Sequence, residues 1–213
     1  PGGATGVPAH PHCGFEAITY LLGGEVEHKD SWGGQAAIET GDIQWMTTGS
    51  GLIHSELVTD KFKKSGGVMQ GLQIWVNLPQ KNKNVKPWYQ HIKKNDIPTI
   101  DEGNDVLIKV LVGKVKNTSS AVQTYSPVSI FDVQFIKPSL IDLEIPKNQT
   151  AMVYVINGEL KFHDDNQIAR KGQMIYFDQS SDMLNLTSIS PTGSYLVLAG
   201  EPLNEPVVRY GPF

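Results

Sequence analysis

The chain has a single cysteine, Cys13, among its 213 residues. No disulfide can form within it, and one free thiol is typical of a reducing compartment, so we expect a cytoplasmic location, extending to the nucleus if the source is a eukaryote. No apolar run approaches the ~20 residues of a membrane-spanning helix, so no membrane contact is expected. Basic residues do not predominate either, with 18 Lys and Arg against 22 Asp and Glu, and direct nucleic-acid binding is not expected.

Helical patterns are also scarce. Glycine (21 residues) and proline (13 residues) are instead spread along the chain, where they separate short runs rich in Val, Ile, Tyr, Phe and Trp. This punctuation is typical of an all-β sandwich or barrel. The runs that we predict as strands cover residues 15–22, 43–47, 72–76, 106–112, 130–135, 152–156, 173–177 and 195–199.

A weak internal repeat predicts two domains of the same kind. Segment 17–25 recurs in outline at 152–159, and segment 40–46 recurs at 170–176. Both copies read as strand, glycine turn, strand, glycine turn, strand, so we predict two all-β barrels in tandem. The N-terminal domain is expected over 1–80, and late strands of the second half are expected to join it. A linker follows over 81–100. The C-terminal domain is expected over 101–213, with 200–213 as a returning arm.

Two short motifs predict a metal site in the first domain. His10-Pro11-His12 and His54-Ser55-Glu56 each place two possible ligands at positions i and i+2, which point to the same face of a β-strand. Brought together in one barrel, the two pairs would supply three imidazoles and one carboxylate. Glu16 shares the strand parity of His10 and His12, so spacing leaves it open as an alternative carboxylate ligand.

The second copy of the repeat has no equivalent of these histidines. Counting back from Gly158 as His10 and His12 stand from Gly23 reaches Ile145 and Lys147. The metal site is therefore predicted in the first domain only. The remaining histidines occur in polar turns or in the linker and are expected at the surface; they are His28, His91 and His163.

The predicted ligand set favours a particular class of ion. Three imidazoles and a carboxylate are harder ligands than thiolates, and in octahedral coordination they leave two adjacent positions for water, substrate or oxygen. This arrangement suits one ferrous iron per chain, or manganese, whereas structural zinc prefers four closed ligands. Nickel, copper and zinc remain substitutes, because ligand identity alone does not overcome the general order of metal affinities.

Four segments, in order along the chain, resemble the pirin family of the cupin superfamily. They are residues 10–16 (HPHCGFE), 44–56 (QWMTTGSGLIHSE), 71–79 (GLQIWVNLP) and 200–206 (GEPLNEP), and the resemblance runs nearly end to end. It implies two tandem cupin barrels, which are double-stranded β-helices or jelly rolls, with iron in the N-terminal barrel. It also implies a set of metal ligands, which are His10, His12, His54 and Glu56.

The resemblance assigns Glu16 a different part. In pirins the carboxylate ligand comes from the second motif, so Glu16 becomes a residue that orients a ligand imidazole by accepting its remaining N–H. Two departures from the family pattern stand out. Cys13 occupies a position where most pirins carry Arg, and pirins extend beyond both ends of this sequence, so we expect the chain to be partial.

Two functions are consistent with such a site. Some pirins have quercetin 2,3-dioxygenase activity, so the resemblance implies an enzyme that opens a flavonol with O2, with Glu56 as both ligand and proton acceptor. The alternative is a metal- and redox-dependent binding protein that acts as a transcription cofactor or an enzyme regulator. The expected partner is accordingly a small aromatic substrate or another protein, and the chain is expected to be a monomer.

Overall fold

The computed structural model describes residues 5–103, 105–162, 167–177 and 182–208. Its internal contacts divide the chain into two compact units, the first made of Pro1–Asp96 with Asn204–Phe213 and the second of Ile97–Leu203. Almost all regular structure in the described residues is β-strand. No helix among them is long and apolar enough to span a membrane.

The first unit contains eight strands and one short helix in its described residues. The strands are β1 Gly6–His12, β2 Phe15–Gly23, β3 Glu25–Asp30, β4 Gln35–Glu39, β5 Ile43–Thr47, β6 Leu52–Val58, β7 Gln70–Asn77 and β8 Trp88–Ile92. They form two four-stranded antiparallel sheets, ordered β1-β6-β3-β4 and β7-β2-β5-β8. The helix α1 spans Asp60–Ser65, and one-turn 3-10 helices cover Gln80–Asn82 and Lys94–Asp96.

Local sequence explains how these elements begin and end. Helix α1 begins after Thr59, whose hydroxyl accepts the backbone N–H of Phe62, and ends at Gly66, whose φ of 69° suits glycine. Strand β2 is rich in aromatic and branched residues and is buried over its first seven positions, as expected of a central strand with neighbours on both sides.

Side chains that face the inside of the first unit form three layers. One apolar cluster contains Phe15, Ala17, Met46 and Leu52, and a second contains Leu21, Val26 and Ile38. Along β2, inward-facing residues alternate with outward-facing ones, so Thr19 falls between these clusters. The layer between them is therefore polar, and it is this layer that the candidate site occupies.

The second unit repeats the two-sheet plan. Its strands are β9 Thr99–Asp101, β10 Val106–Val112, β11 Lys114–Val115, β12 Thr118–Ser119, β13 Val128–Phe135, β14 Ser139–Glu144, β15 Thr150–Asn157, β16 Glu159–Phe162, β17 Gln167–Arg170, β18 Met174–Tyr176, β19 Met183–Ser188 and β20 Gly193–Gly200. The sheets are ordered β18-β15-β20-β13-β10-β9 and β14-β19-β16-β17, with β11 and β12 as a separate hairpin. Its core is apolar and includes Ile145, which counting along the repeat sets against His10, together with Val153 and Ile175.

Every run predicted as a strand overlaps an observed strand, and the bounds differ by at most two residues. Two expectations about the domain layout differ from the structure. Within the expected linker, β8 pairs with β5; Pro87 and the surrounding lysines are typical of a loop, so composition does not indicate this edge strand. In the described residues, both sheets of the first unit are built from β1 to β8 alone, without late strands of the second half. Residues after Leu203 do return to the first unit, where the backbone N–H of Gln80 donates to the Glu205 carboxylate.

Candidate metal centre

The inward face of the β1-β6-β3 sheet carries the candidate site. His10 on β1 and Asp30 on β3 both lie opposite His54 on β6, and His28 on β3 lies opposite Glu56. The i, i+2 spacing on each strand places both members of a pair on one face. The antiparallel register then lines the pairs up side by side, so the fold brings the two predicted motifs together.

Three imidazoles converge at one end of this array. The Nε2 atom of His10 lies 2.9 Å from Nε2 of His12 and 3.0 Å from Nε2 of His54. Nitrogen ligands bound at about 2.1 Å and at right angles to one another are separated by about 3.0 Å, so this spacing fits neighbouring positions of an octahedral ion. The Nδ1 atom of His10 is 2.8 Å from the Pro8 carbonyl, to which it donates, and this leaves the Nε2 lone pair for a metal.

His54 is held in its neutral form. Burial, with a smaller contribution from the neighbouring imidazoles of His10 and His28, lowers its pKa to about 3. At neutral pH the ring therefore carries no charge and can offer a lone pair. Its Nδ1 atom is buried with no hydrogen-bond partner among the described residues.

Glu56 lies two residues after His54 on β6, opposite His28, and is held in place by hydrogen bonds. Its Oε1 atom accepts the hydroxyl of Thr19 at 3.1 Å and a short bond from the Gln44 amide. Gln44 in turn accepts the hydroxyl of Tyr89 at 3.2 Å. The ligand atoms of Glu56, His54 and His28 all lie within 4.8 Å of one another, as do those of the three clustered histidines His10, His12 and His54. His54 is thus common to both groups.

The expectation that His28 lies at the surface is wrong. Its side chain is completely buried, its Nε2 atom is 3.0 Å from Asp30 Oδ2, and its ring stacks on Tyr89. The signal that could have found it is the His28-Lys29-Asp30 sequence, which has the same i, i+2 spacing as the two motifs. His91 is partly buried, with Nε2 2.9 Å from Asp42 Oδ2, and His163 lies outside the described residues.

Glu16 faces away from the histidines. Its Oε1 atom accepts the indole N–H of Trp45 at 2.9 Å and the hydroxyl of Thr47 at 2.6 Å. These partners belong to the side of the β2 and β5 pair opposite to Phe15 and Thr19, which face the site. The expectation that Glu16 orients a ligand imidazole therefore finds no support in these contacts.

An aromatic wall borders the three-histidine cluster. The rings of Phe15 and Trp75 stack with centroids 4.3 Å apart and planes 22° apart. The ring of His12 meets both of them edge-on, at 5.0 Å from Phe15 and 5.3 Å from Trp75. Trp75 remains 42% exposed, so part of its indole surface is available to a ligand beside the cluster.

Comparison with known families and proteins places the chain in one family. Residues 2–76 match the family model Pirin, and residues 130–213 match the Pirin C-terminal cupin domain. Pirin-1 of Arabidopsis thaliana is 38% identical over 213 residues, covering 99% of this chain and 72% of the relative. Pirin of Rattus norvegicus is 37% identical over 211 residues, covering 98% of this chain and 70% of the relative.

A solved structure gives the same picture. The chain is similar to a quercetin 2,3-dioxygenase from Acinetobacter baumannii, with a TM-score of 0.90 and 37% identity over 98% of this chain and 72% of that one. The predicted fold class, all-β with two cupin domains in tandem, is confirmed. The buried group of histidines with a nearby glutamate supports a metal cofactor.

Proposed function

Because the chain belongs to the pirin family, we propose that it is an iron-dependent dioxygenase that opens a flavonol such as quercetin with O2. The observation that carries this proposal is the convergence of three imidazoles, with the Nε2 atoms of His12 and His54 both within 3.0 Å of His10 Nε2, beside a partly exposed aromatic wall. The similar Acinetobacter baumannii structure is that of a quercetin 2,3-dioxygenase. The proposed ligands are His10, His12, His54 and Glu56.

The bound ion and the proposed ligands have different roles in the reaction. When bound, a ferrous ion supplies Lewis acidity and reactivity towards O2, which amino-acid side chains lack. The three neutral imidazoles leave the ion most of its positive charge, and the single carboxylate of Glu56 reduces it by one. Thr19 and Gln44 hold that carboxylate in place, so Glu56 is ready to bind the ion and to accept the proton of a flavonol hydroxyl.

The surroundings of the ligands orient the substrate and limit water. His12 and His54 are 3% and 2% exposed, and His12 contacts Phe15 of the apolar cluster of Phe15, Ala17, Met46 and Leu52. His10 is partly exposed, which marks the open side of the cluster. A flat aromatic substrate entering from that side can stack on Trp75 while its oxygens approach the histidines.

The direct test is oxygen consumption. The protein loaded with ferrous iron should consume O2 when quercetin is added, and the metal-depleted protein should not. The measurement uses an oxygen electrode together with the loss of quercetin absorbance, so that slow autoxidation of the flavonol can be subtracted with a protein-free control. Stoichiometric iron binding without quercetin-dependent O2 uptake would count against the enzyme and in favour of a metal-dependent binding protein.

Trp75 offers a second test, aimed at substrate recognition. Trp75→Leu should raise the KM for quercetin roughly 3- to 10-fold, because an aromatic stacking contact contributes about 0.5–1.5 kcal/mol. Trp75→Phe should recover most of the affinity, and iron content should be unchanged in both variants. Trp88→Leu is the matched control, since Trp88 is similarly exposed (41%) on β8. A KM that Trp75→Leu leaves unchanged would rule out stacking at this wall.

A further inference from the structure

His28 and Asp30 form a buried pair that the proposed reaction does not use. The Nε2 atom of His28 lies 3.0 Å from Oδ2 of Asp30, and the two side chains are 0% and 2% exposed. The other carboxylate oxygen, Oδ1, accepts the backbone N–H groups of Trp32 at 2.7 Å and Gly34 at 3.0 Å. A carboxylate held in this way accepts the Nε2–H of His28, so the neutral ring carries its lone pair on Nδ1.

The ring of His28 is also fixed in orientation. It stacks on Tyr89 with centroids 4.3 Å apart and planes 15° apart. Its Nδ1 atom is buried and has no hydrogen-bond partner among the described residues. Leaving a buried acceptor unpartnered costs about 1–3 kcal/mol, so the fold maintains this arrangement at a cost. A carboxylate behind the opposite nitrogen is the usual support of a histidine that binds a metal through its free nitrogen.

Two further ligands lie on the neighbouring strand. Glu56 is the direct cross-strand partner of His28, and His54 precedes it by two residues on the same face of β6. The ligand atoms of the three buried residues lie within 4.8 Å of one another. Ligands bound to one ion at about 2.1 Å are separated by about 3.0–4.2 Å, so side-chain movements of less than about 1 Å suffice.

His54 has a second ring nitrogen that is available to bind an ion in this group. Its Nε2 atom is 3.0 Å from His10, whereas its Nδ1 atom is a second buried nitrogen without a hydrogen-bond partner among the described residues. We propose that the first unit has an inner metal position, formed by His28, His54 and Glu56, for a divalent first-row transition ion. This position shares His54 and Glu56 with the ligand set of the proposed enzyme, and it does not depend on the dioxygenase reaction.

The test isolates the inner position by removing the outer histidines. The full chain carrying His10→Ala and His12→Ala is titrated with Co²⁺ without quercetin, and binding is followed by visible d–d absorption and by calorimetry. We expect this variant to bind one equivalent of Co²⁺. Adding His28→Ala or Asp30→Asn should weaken that binding at least about 10-fold, because the first removes a ligand and the second removes the carboxylate that supports it.

The matched control is His91→Ala in the same background. His91 belongs to another His–Asp pair of the first unit, with Nε2 2.9 Å from Asp42 Oδ2, and it is in neither group of possible ligands. Circular dichroism of the metal-free variants checks folding, and His10→Gln with His12→Gln replaces the background if the alanine variant does not fold. The proposal is overturned if the background binds no Co²⁺, or if His28→Ala weakens binding no more than His91→Ala does. Failure of O2 uptake in the iron-loaded protein leaves a positive Co²⁺ result intact.

Discussion

His54→Ala should leave the protein almost free of bound metal and without quercetin-dependent O2 uptake. His54 is the residue common to both groups of possible ligands, and it lies on β6 between His10 and Asp30. Changes behind a metal ligand typically cost 10–100-fold in affinity, so loss of a ligand shared by both positions should cost more than about 100-fold. Elemental analysis of protein purified without chelator should fall from near one equivalent of iron per chain to less than about a tenth.

The control for this result is His91→Ala, which removes a partly buried histidine of the same unit outside both groups. It should keep its iron and its turnover. His54→Gln provides a second variant that fills more of the buried space if His54→Ala proves unstable. Full iron occupancy in either His54 variant, with His91→Ala indistinguishable from them, would show that the ion is held elsewhere.

The sequence predicted those features of the site that depend on the alternation of side chains within one strand. Each of the two motifs has its ligands at i and i+2 within one strand, and this spacing requires both side chains to share a face. The register between β1 and β6, which sets His10 opposite His54, could not be read from the sequence. The glycine-punctuated strand pattern predicted only that such pairing was possible.

Glu16 illustrates where counting along the chain fails. Strand parity places it with His10 and His12 only if β1 and β2 form one continuous strand. They do not, because Cys13 and Gly14 separate them, and Gly14 has a φ of 76°. A residue in this left-handed conformation interrupts the alternation of side chains, so parity begins again at Phe15 and Glu16 points to the other face.

His28 was missed for a different reason. Its neighbours Glu27, Lys29 and Asp30 are charged, and a run of charged residues is usually a solvent-exposed face or turn. On the inner face of strand β3, the side chains of His28 and Asp30 are buried and hydrogen-bond to each other. On the outer face, Glu27 and Lys29 form an exposed ion pair. A strand with one polar pair on each face has the same composition as a solvent-exposed turn. Only the three-dimensional structure distinguishes the two.

The last prediction separates Glu56 from Glu16 as the carboxylate ligand. Glu56→Gln should weaken iron binding more than about 100-fold or change the ion selected, because a direct ligand is replaced by a neutral amide that binds hard cations weakly. Glu16→Gln should keep iron affinity within about threefold, since its contacts with Trp45 and Thr47 lie on the opposite face of β2.

The cost of Glu16→Gln should appear in folding stability instead. The new amide N–H groups would be buried where the carboxylate had accepted hydrogen bonds, and an unsatisfied buried polar group costs about 1–3 kcal/mol. Iron titrations and urea unfolding of the two metal-free variants measure both effects on the same samples. Glu56 fails as the ligand if Glu56→Gln retains the metal while Glu16→Gln loses it, because a carboxylate on the far side of β2 reaches the histidines only if the strand register differs from the one described.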